Sequence, residues 1–276
     1  MSEFTVVRDD GVRLAGVDEG DGPPIALLHG LTATRRYVVM GSRMLHRAGY
    51  RVVAYDARGH GRSTAPADPR AYGYDALAGD LAAVLDDRGI DRAVLVGASM
   101  GAHTLLRFAL ERPERVAGMV VVTPAYDPAA QDDPERLASW DRLCAGLREG
   151  GIEGFVAANE VERMPPAWQE TVRTVLRQRM AQHDALDAVA DALAAVPRSR
   201  PFGSLDELAR LDGIPAVVVA SRDEADPGHP LALGEAYAAA IPGARLVTEA
   251  PGRSPIAWQG GQLSRVIAEL AERAAA

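Results

Sequence analysis

The sequence predicts an α/β fold: a mostly parallel central sheet flanked by helices, with a run of helices inserted between two of its strands. Three features predict it. Short apolar runs alternate with helix-length segments as far as Pro124, residues from about 126 to 200 carry helical periodicity only, and the strand rhythm then resumes. The expected division is a core of residues 1–125 and 201–276 with a helical cap of residues 126–200.

In chain order, Ile25–Leu28, Arg51–Tyr55, Ala93–Val96 and Val116–Val122 are apolar runs bounded by turn residues, the pattern of buried parallel strands. Between them, Arg36–Ala48, Tyr74–Arg88 and Met100–Glu111 have the length and spacing of crossover helices. Four further helices are expected over Glu135–Arg148, Gly154–Val161, Ala167–Gln182 and Ala185–Ala195. Strands Ile214–Ala220 and Ala244–Thr248 and a helix over Gln262–Ala274 close the chain, and no internal repeat or low-complexity linker interrupts it.

A chain of 276 residues is long enough for one large core. Thirty basic residues against 38 acidic ones give a net charge of −8, which argues against a nucleic-acid partner because such proteins concentrate basic charge on one surface. The start, Met1-Ser2-Glu3-Phe4-Thr5, has no basic stretch leading into an apolar run, and no segment reaches about 18 consecutive apolar residues. A cytoplasmic protein without membrane contact is the expectation. Cys144 stands alone, with no disulfide partner and no metal-ligand spacing, and reads as helix packing. Neither a metal cluster nor a dinucleotide-binding glycine pattern is present in the sequence, so no cofactor is expected. The expected partner is a small-molecule substrate, with a homodimer left open.

The strongest motif is Gly97-Ala98-Ser99-Met100-Gly101, between the strand at Ala93 and the helix at Met100. A turn this tight demands small residues two before and two after the serine, and it strains the serine backbone. The hydroxyl then stands at the positive end of the following helix, where negative charge on a substrate oxygen is favoured and the Met100 N–H points toward that oxygen. An aspartate in this position would indicate epoxide or haloalkane chemistry. Serine speaks against both.

Together with Leu28-His29-Gly30-Leu31, the turn Asp56-Ala57-Arg58-Gly59-His60-Gly61-Arg62-Ser63 and the late strand followed by an aspartate, this elbow resembles the α/β-hydrolase fold superfamily of the serine-nucleophile type. The resemblance covers essentially everything outside the helical insertion. It implies an oxyanion hole formed by the N–H groups of Leu31 and Met100, and a scaffold role for the turn containing His60. His29 reads as a brace for its loop.

The resemblance further implies an acid after the strand Ile214–Ala220. Ser221-Arg222-Asp223-Glu224-Ala225-Asp226-Pro227 is similar to the family's G-x-x-D-x-x-x-P, which makes Asp223 the expected acid, with Asp226 and Asp127 as alternatives. In the family, the next strand leads into a Gly-His turn that carries the base. Here the turn reads Ala250-Pro251-Gly252-Arg253-Ser254-Pro255, so Arg253 stands in the histidine's place. Arginine stays protonated and offers donors only, so it cannot act as that base. Its expected roles are a bidentate pair with Asp223 or a fork presented to an anionic group.

No histidine follows His229, which lies six residues beyond Asp223 on the same loop and is the one remaining candidate for the base. His103 is expected to pack inside its helix, and His46 and His183 have no nameable partner. Trp140, Phe155, Met164 and Trp168 either line a pocket or pack. Three functions follow: a serine acyl hydrolase of a small ester, lactone, thioester or amide with an atypical triad of Ser99, Asp223 and His229; a lyase, isomerase or cyclase using Ser99 and Arg253; or an inactive ligand-binding pseudohydrolase.

Overall fold

The computed structural model describes residues 2–275. Strands β1 (Ser2–Val7) and β2 (Arg13–Glu19) precede β3 (Pro24–Leu28), and a short helix α1 (Met44–Arg47) leads into β4 (Arg51–Tyr55). Then follow α2 (Tyr74–Asp87), β5 (Ala93–Ala98), α3 (Met100–Glu111) and β6 (Val116–Val122). Helices α4 (Pro134–Ala158), α5 (Pro166–Met180) and α6 (Leu186–Ala195) separate β6 from β7 (Ala216–Val219). The chain ends through α7 (Leu231–Ala240), β8 (Arg245–Val247) and α8 (Gly260–Ala275).

The eight strands form one sheet in the order β1-β2-β4-β3-β5-β6-β7-β8. β1 pairs with β2, and β2 with β4, in antiparallel fashion; every other pair is parallel. Successive residues of the central strands enter different cores, as the two-residue period of a strand requires. Leu28, Leu95, Met119 and Val218 pack on one face with α2, α3 and Tyr237 of α7. Leu27, Val96, Val120 and Val217 pack on the other with Leu45 of α1 and Leu263, Ile267 and Leu270 of α8. Burial on both faces is why these strands read as continuous apolar runs.

Five elements depart from the sequence expectation. The helix expected over Arg36–Ala48 shrinks to the single turn of α1, because Met40 and Gly41 adopt positive φ (47° and 74°) and interrupt it. The helices expected at Glu135 and Gly154 are one element, α4, bent at Gly151 (φ 58°, ψ −142°), a conformation open to a residue without Cβ. The strands of residues 2–19 and the alanine-rich α7 have no counterpart in the sequence reading. Among the described residues, no helix is long and apolar enough to cross a membrane.

After β3 the chain turns to β4 on one side, and β5 returns on the other side of β3. The loops leaving the carboxyl ends of β3 and β5 therefore diverge, and this topological switch point is where an open α/β sheet forms its ligand crevice.

Candidate active site

Ser99 follows β5 at that crevice with φ 49° and ψ −111°, a strained conformation for a residue bearing a side chain. The strain is fixed from both sides. Ser99 N–H donates to Val122 O of β6 (2.9 Å), and His103 N–H donates to Ser99 O (3.1 Å), starting α3. A Cβ on Gly97 would stand 2.2 Å from Gly101 O, and one on Gly101 would stand 2.3 Å from Leu28 O, so backbone contact alone dictates both glycines. The α3 N-terminus, with the Met100 N–H, lies directly after the serine. The loop after β3 runs alongside, with the Cβ position of Gly30 3.6 Å from Ser99 Cβ, and both Leu31 and Met100 line the same cavity as Ser99.

The β3 loop is braced by histidines. His29, buried, accepts a hydrogen bond from Ala57 N–H at Nε2 (2.8 Å) while Nδ1 donates to Gly30 O (2.8 Å). His60 lies between Arg58 O (2.9 Å) and Leu31 O (2.5 Å), fixing the peptide next to the candidate oxyanion donor. The turn that holds His60 is itself anchored by a buried ion pair, Arg58 Nη2 to Asp80 Oδ1 at 2.6 Å. His183 joins the inserted helices to this turn: its Nδ1 accepts from Gly61 N–H (2.9 Å) and Nε2 donates to Thr32 O (3.3 Å). His103 sits one turn into α3, where Nε2 accepts from the N–H groups of Ala125 and Tyr126 (3.0 and 3.1 Å). These four rings are scaffold groups, and burial pushes the pKa of each below the ordinary histidine value.

The fifth relevant histidine is different. His229 Nε2 lies 3.0 Å from Ser99 Oγ, and its Nδ1 lies 2.7 Å from Asp226 Oδ1. With the carboxylate accepting from Nδ1–H, Nε2 is left as the acceptor for the serine hydroxyl. The loop after β7 supplies both residues, and the turn is closed by His229 N–H donating to Asp226 O (3.0 Å). Burial pushes the His229 pKa down, but the attraction and hydrogen bond of Asp226 outweigh it and leave the ring above its ordinary value. Burial likewise pushes the Asp226 carboxyl up, and His229 and Arg179 more than offset this, leaving it below the usual aspartate value.

The acid expected from sequence is thereby corrected. Asp223 makes no contact with His229; its Oδ1 accepts from Leu231 N–H (2.7 Å), satisfying the first amide of α7. Asp127 likewise serves a local turn, accepting from Ala129 N–H (2.9 Å). The expectations for Arg253 are corrected as well. It lies in the turn after β8, its side chain is exposed, it forms no ion pair with Asp223 among the described residues, and it does not line the cavity. The three-residue spacing of Asp226 and His229 was visible in the sequence, but the family-like register at Asp223 competed with it.

A cavity of about 970 Å³ opens above Ser99. Trp140 and Phe155 of α4 and Met164 of the α4–α5 connection line it, whereas Trp168 packs edge-on against Trp258 at 6.2 Å. Arg179 of α5 and Arg136 of α4 also reach the cavity, and sequence reasoning missed both because each is one arginine among many on an amphipathic helix. Among the described residues, the lining combines an apolar wall with a nucleophile–imidazole–carboxylate line, an arrangement suited to acyl transfer.

Comparison with known proteins places the fold. Over 209 residues, 76% of this chain and 73% of the relative, the sequence is 30% identical to a putative carbamate hydrolase, RutD, of Caulobacter segnis. A hydrolase of Pseudomonas aeruginosa PA01 superposes with a TM-score of 0.74 at 27% identity, over 99% of this chain and 97% of that one. A thermophilic esterase of Thermogutta terrifontis superposes with a TM-score of 0.80 at 25% identity, over 99% of both chains. A model of the alpha/beta hydrolase fold matches residues 23–259, and the chain belongs to that family.

Proposed function

We propose that this protein is a serine hydrolase that cleaves a small acyl compound (an ester, lactone, thioester or amide) through Ser99, His229 and Asp226. The observation that carries the reading is the continuous line from Ser99 Oγ through His229 to Asp226, at 3.0 and 2.7 Å, on the floor of a cavity. The hydrolase and esterase among its relatives support it. Residues 126–200 act as the cap that shapes the substrate space.

In this mechanism His229 Nε2 takes the Ser99 proton as Oγ bonds to the substrate carbonyl carbon. The resulting oxyanion is held by the N–H groups of Met100 and Leu31. The tetrahedral intermediate collapses, breaking the bond to the leaving group, which receives the proton from His229. Water then attacks the acyl-enzyme, giving its proton to His229, and release of the acid returns that proton to Ser99. Asp226 holds Nδ1–H throughout and stabilises the imidazolium. Arg253, exposed and outside the cavity, has no part in this, which leaves the non-hydrolytic reading without its key residue.

Intact-mass analysis after treatment with a fluorophosphonate tests the proposal. One adduct mapping to Ser99, absent in Ser99→Ala, together with turnover of p-nitrophenyl butyrate, is the expected result. A protein that is folded yet inert to both reagents refutes it and favours a pseudohydrolase.

A further inference from the structure

Arg179 is a charged group in the cavity that the mechanism does not use. The other arginines near it on α5 are satisfied at the surface: Arg173 pairs with Glu162 (2.6 Å) and Arg177 with Glu153 (2.8 Å). Arg179 instead faces inward, lining the cavity beside Tyr37, whose ring centroid lies 5.9 Å from its guanidinium carbon. Among the described residues it has no ion pair, and its Nε is buried without a hydrogen-bond partner. The carboxylate of Asp226 attracts it through space without an ion-pair contact, and Asp226 Oδ1 is engaged by His229.

A guanidinium with no hydrogen-bonded counter-ion in a partly desolvated wall is costly, and its fork matches a carboxylate in geometry and charge. The second cation of the cavity, Arg136, differs in being spent on main-chain oxygens, donating to Gln131 O (3.0 Å) and Pro197 O (3.2 Å). From the inward, unpaired Arg179 in the same cavity as Ser99, we infer that the substrate carries a carboxylate bound by Arg179 while its acyl carbon lies at Ser99. The preferred class is therefore a half-ester, or an equivalent lactone or amide, of a dicarboxylic acid. This inference rests on the hydrolase reading for the reaction but not for the binding.

The test uses full-length Ser99→Ala protein, which binds without turnover, titrated calorimetrically with monomethyl succinate, glutarate and adipate and with the dimethyl ester of each. The expected result is at least about tenfold tighter binding of one or more half-esters than of the matching neutral diester, as a charge-assisted pair provides. Adding Arg179→Met is expected to abolish that preference, and Arg179→Lys to retain part of it, since lysine keeps the charge without the fork. Equal affinity for the two ester forms, no binding of either, or a preference that survives Arg179→Met overturns the inference. The comparison of esters in Ser99→Ala decides even if Arg179→Met fails to fold. Wild-type turnover of the same half-esters is read in parallel. Charge-selective binding without any hydrolysis removes the hydrolase reading and leaves the carboxylate site standing.

Discussion

His229 Nε2 stands 3.0 Å from Ser99 Oγ although 130 residues separate them in the chain. The sheet closes that gap, because β5 and β7 run parallel on either side of β6 and release their following loops at the same end. His229→Ala is expected to lower kcat/KM for a p-nitrophenyl ester by about a thousandfold, the contribution of a positioned general base. Steady-state assays of folded protein check this, and retention of more than a tenth of the activity would exclude His229 as the base.

Asp226 and Asp223 lie three residues apart and have different work. Asp226→Asn removes the acceptor that fixes the His229 tautomer, and kcat is expected to fall by roughly two to four orders of magnitude. Asp223→Ala deprives Leu231 N–H of its partner, with an expected loss of about 1 kcal/mol in unfolding free energy, as for other helix-start acceptors, and with kcat retained. Urea titrations and kinetics on both variants decide between them, and a reversed outcome would restore Asp223 as the acid.

The pH profile follows from the raised His229 pKa. The base works when neutral, so kcat/KM is expected to rise with pH through an inflection above 6.5. Arg179 pushes that pKa down, so Arg179→Met is expected to move the inflection upward. Profiles on a neutral ester, whose own charge does not titrate, give the measurement. An inflection below 6.5 in the wild type would contradict the Asp226 pairing.

Arg253→His places an imidazole where the family's base is read from sequence. Because the side chain is exposed and His229 already holds Ser99, the substitution is expected to leave kcat/KM within about twofold, the scale of an ordinary surface change. A large gain in esterase activity would mean that the turn after β8 can deliver a second base.

The elbow was legible because its constraints are local: Gly97 and Gly101 are dictated by backbone contacts within a strand-turn-helix, and the sequence carries that context. The central strands were legible because burial on both faces leaves an unmistakable apolar run. The acid was less so, since Asp223 and Asp226 share one acidic loop and only the fold decides which carboxylate meets His229 and which serves an amide of α7. Arg179 was not legible at all. Whether an arginine of an amphipathic helix meets a glutamate or a cavity depends on how that helix packs, which separates Arg177 from Arg179 in this protein.

The buried scaffold histidines make the fold acid-sensitive well above the carboxylate range. His29, His103 and His183 are held neutral by burial, with His103 brought down to about 3 and His183 to about 4. A depressed folded-state pKa contributes stability that is complete above the unfolded value near 6.5 and is lost as pH falls from there toward the folded value. Each such ring then costs about 1.4 kcal/mol per pH unit. His229, with its raised pKa, has the opposite sign: its contribution is already complete below 6.5 and adds no slope there. Urea midpoints are therefore expected to fall steeply between pH 6.5 and 4. His183→Gln keeps an acceptor for Gly61 N–H and a donor for Thr32 O while removing one titrating ring, so it is expected to flatten the fall by one proton. An unchanged slope in that variant would show that His183 takes up its proton in the folded state, and that the joint between the inserted helices and the turn around His60 tolerates charge.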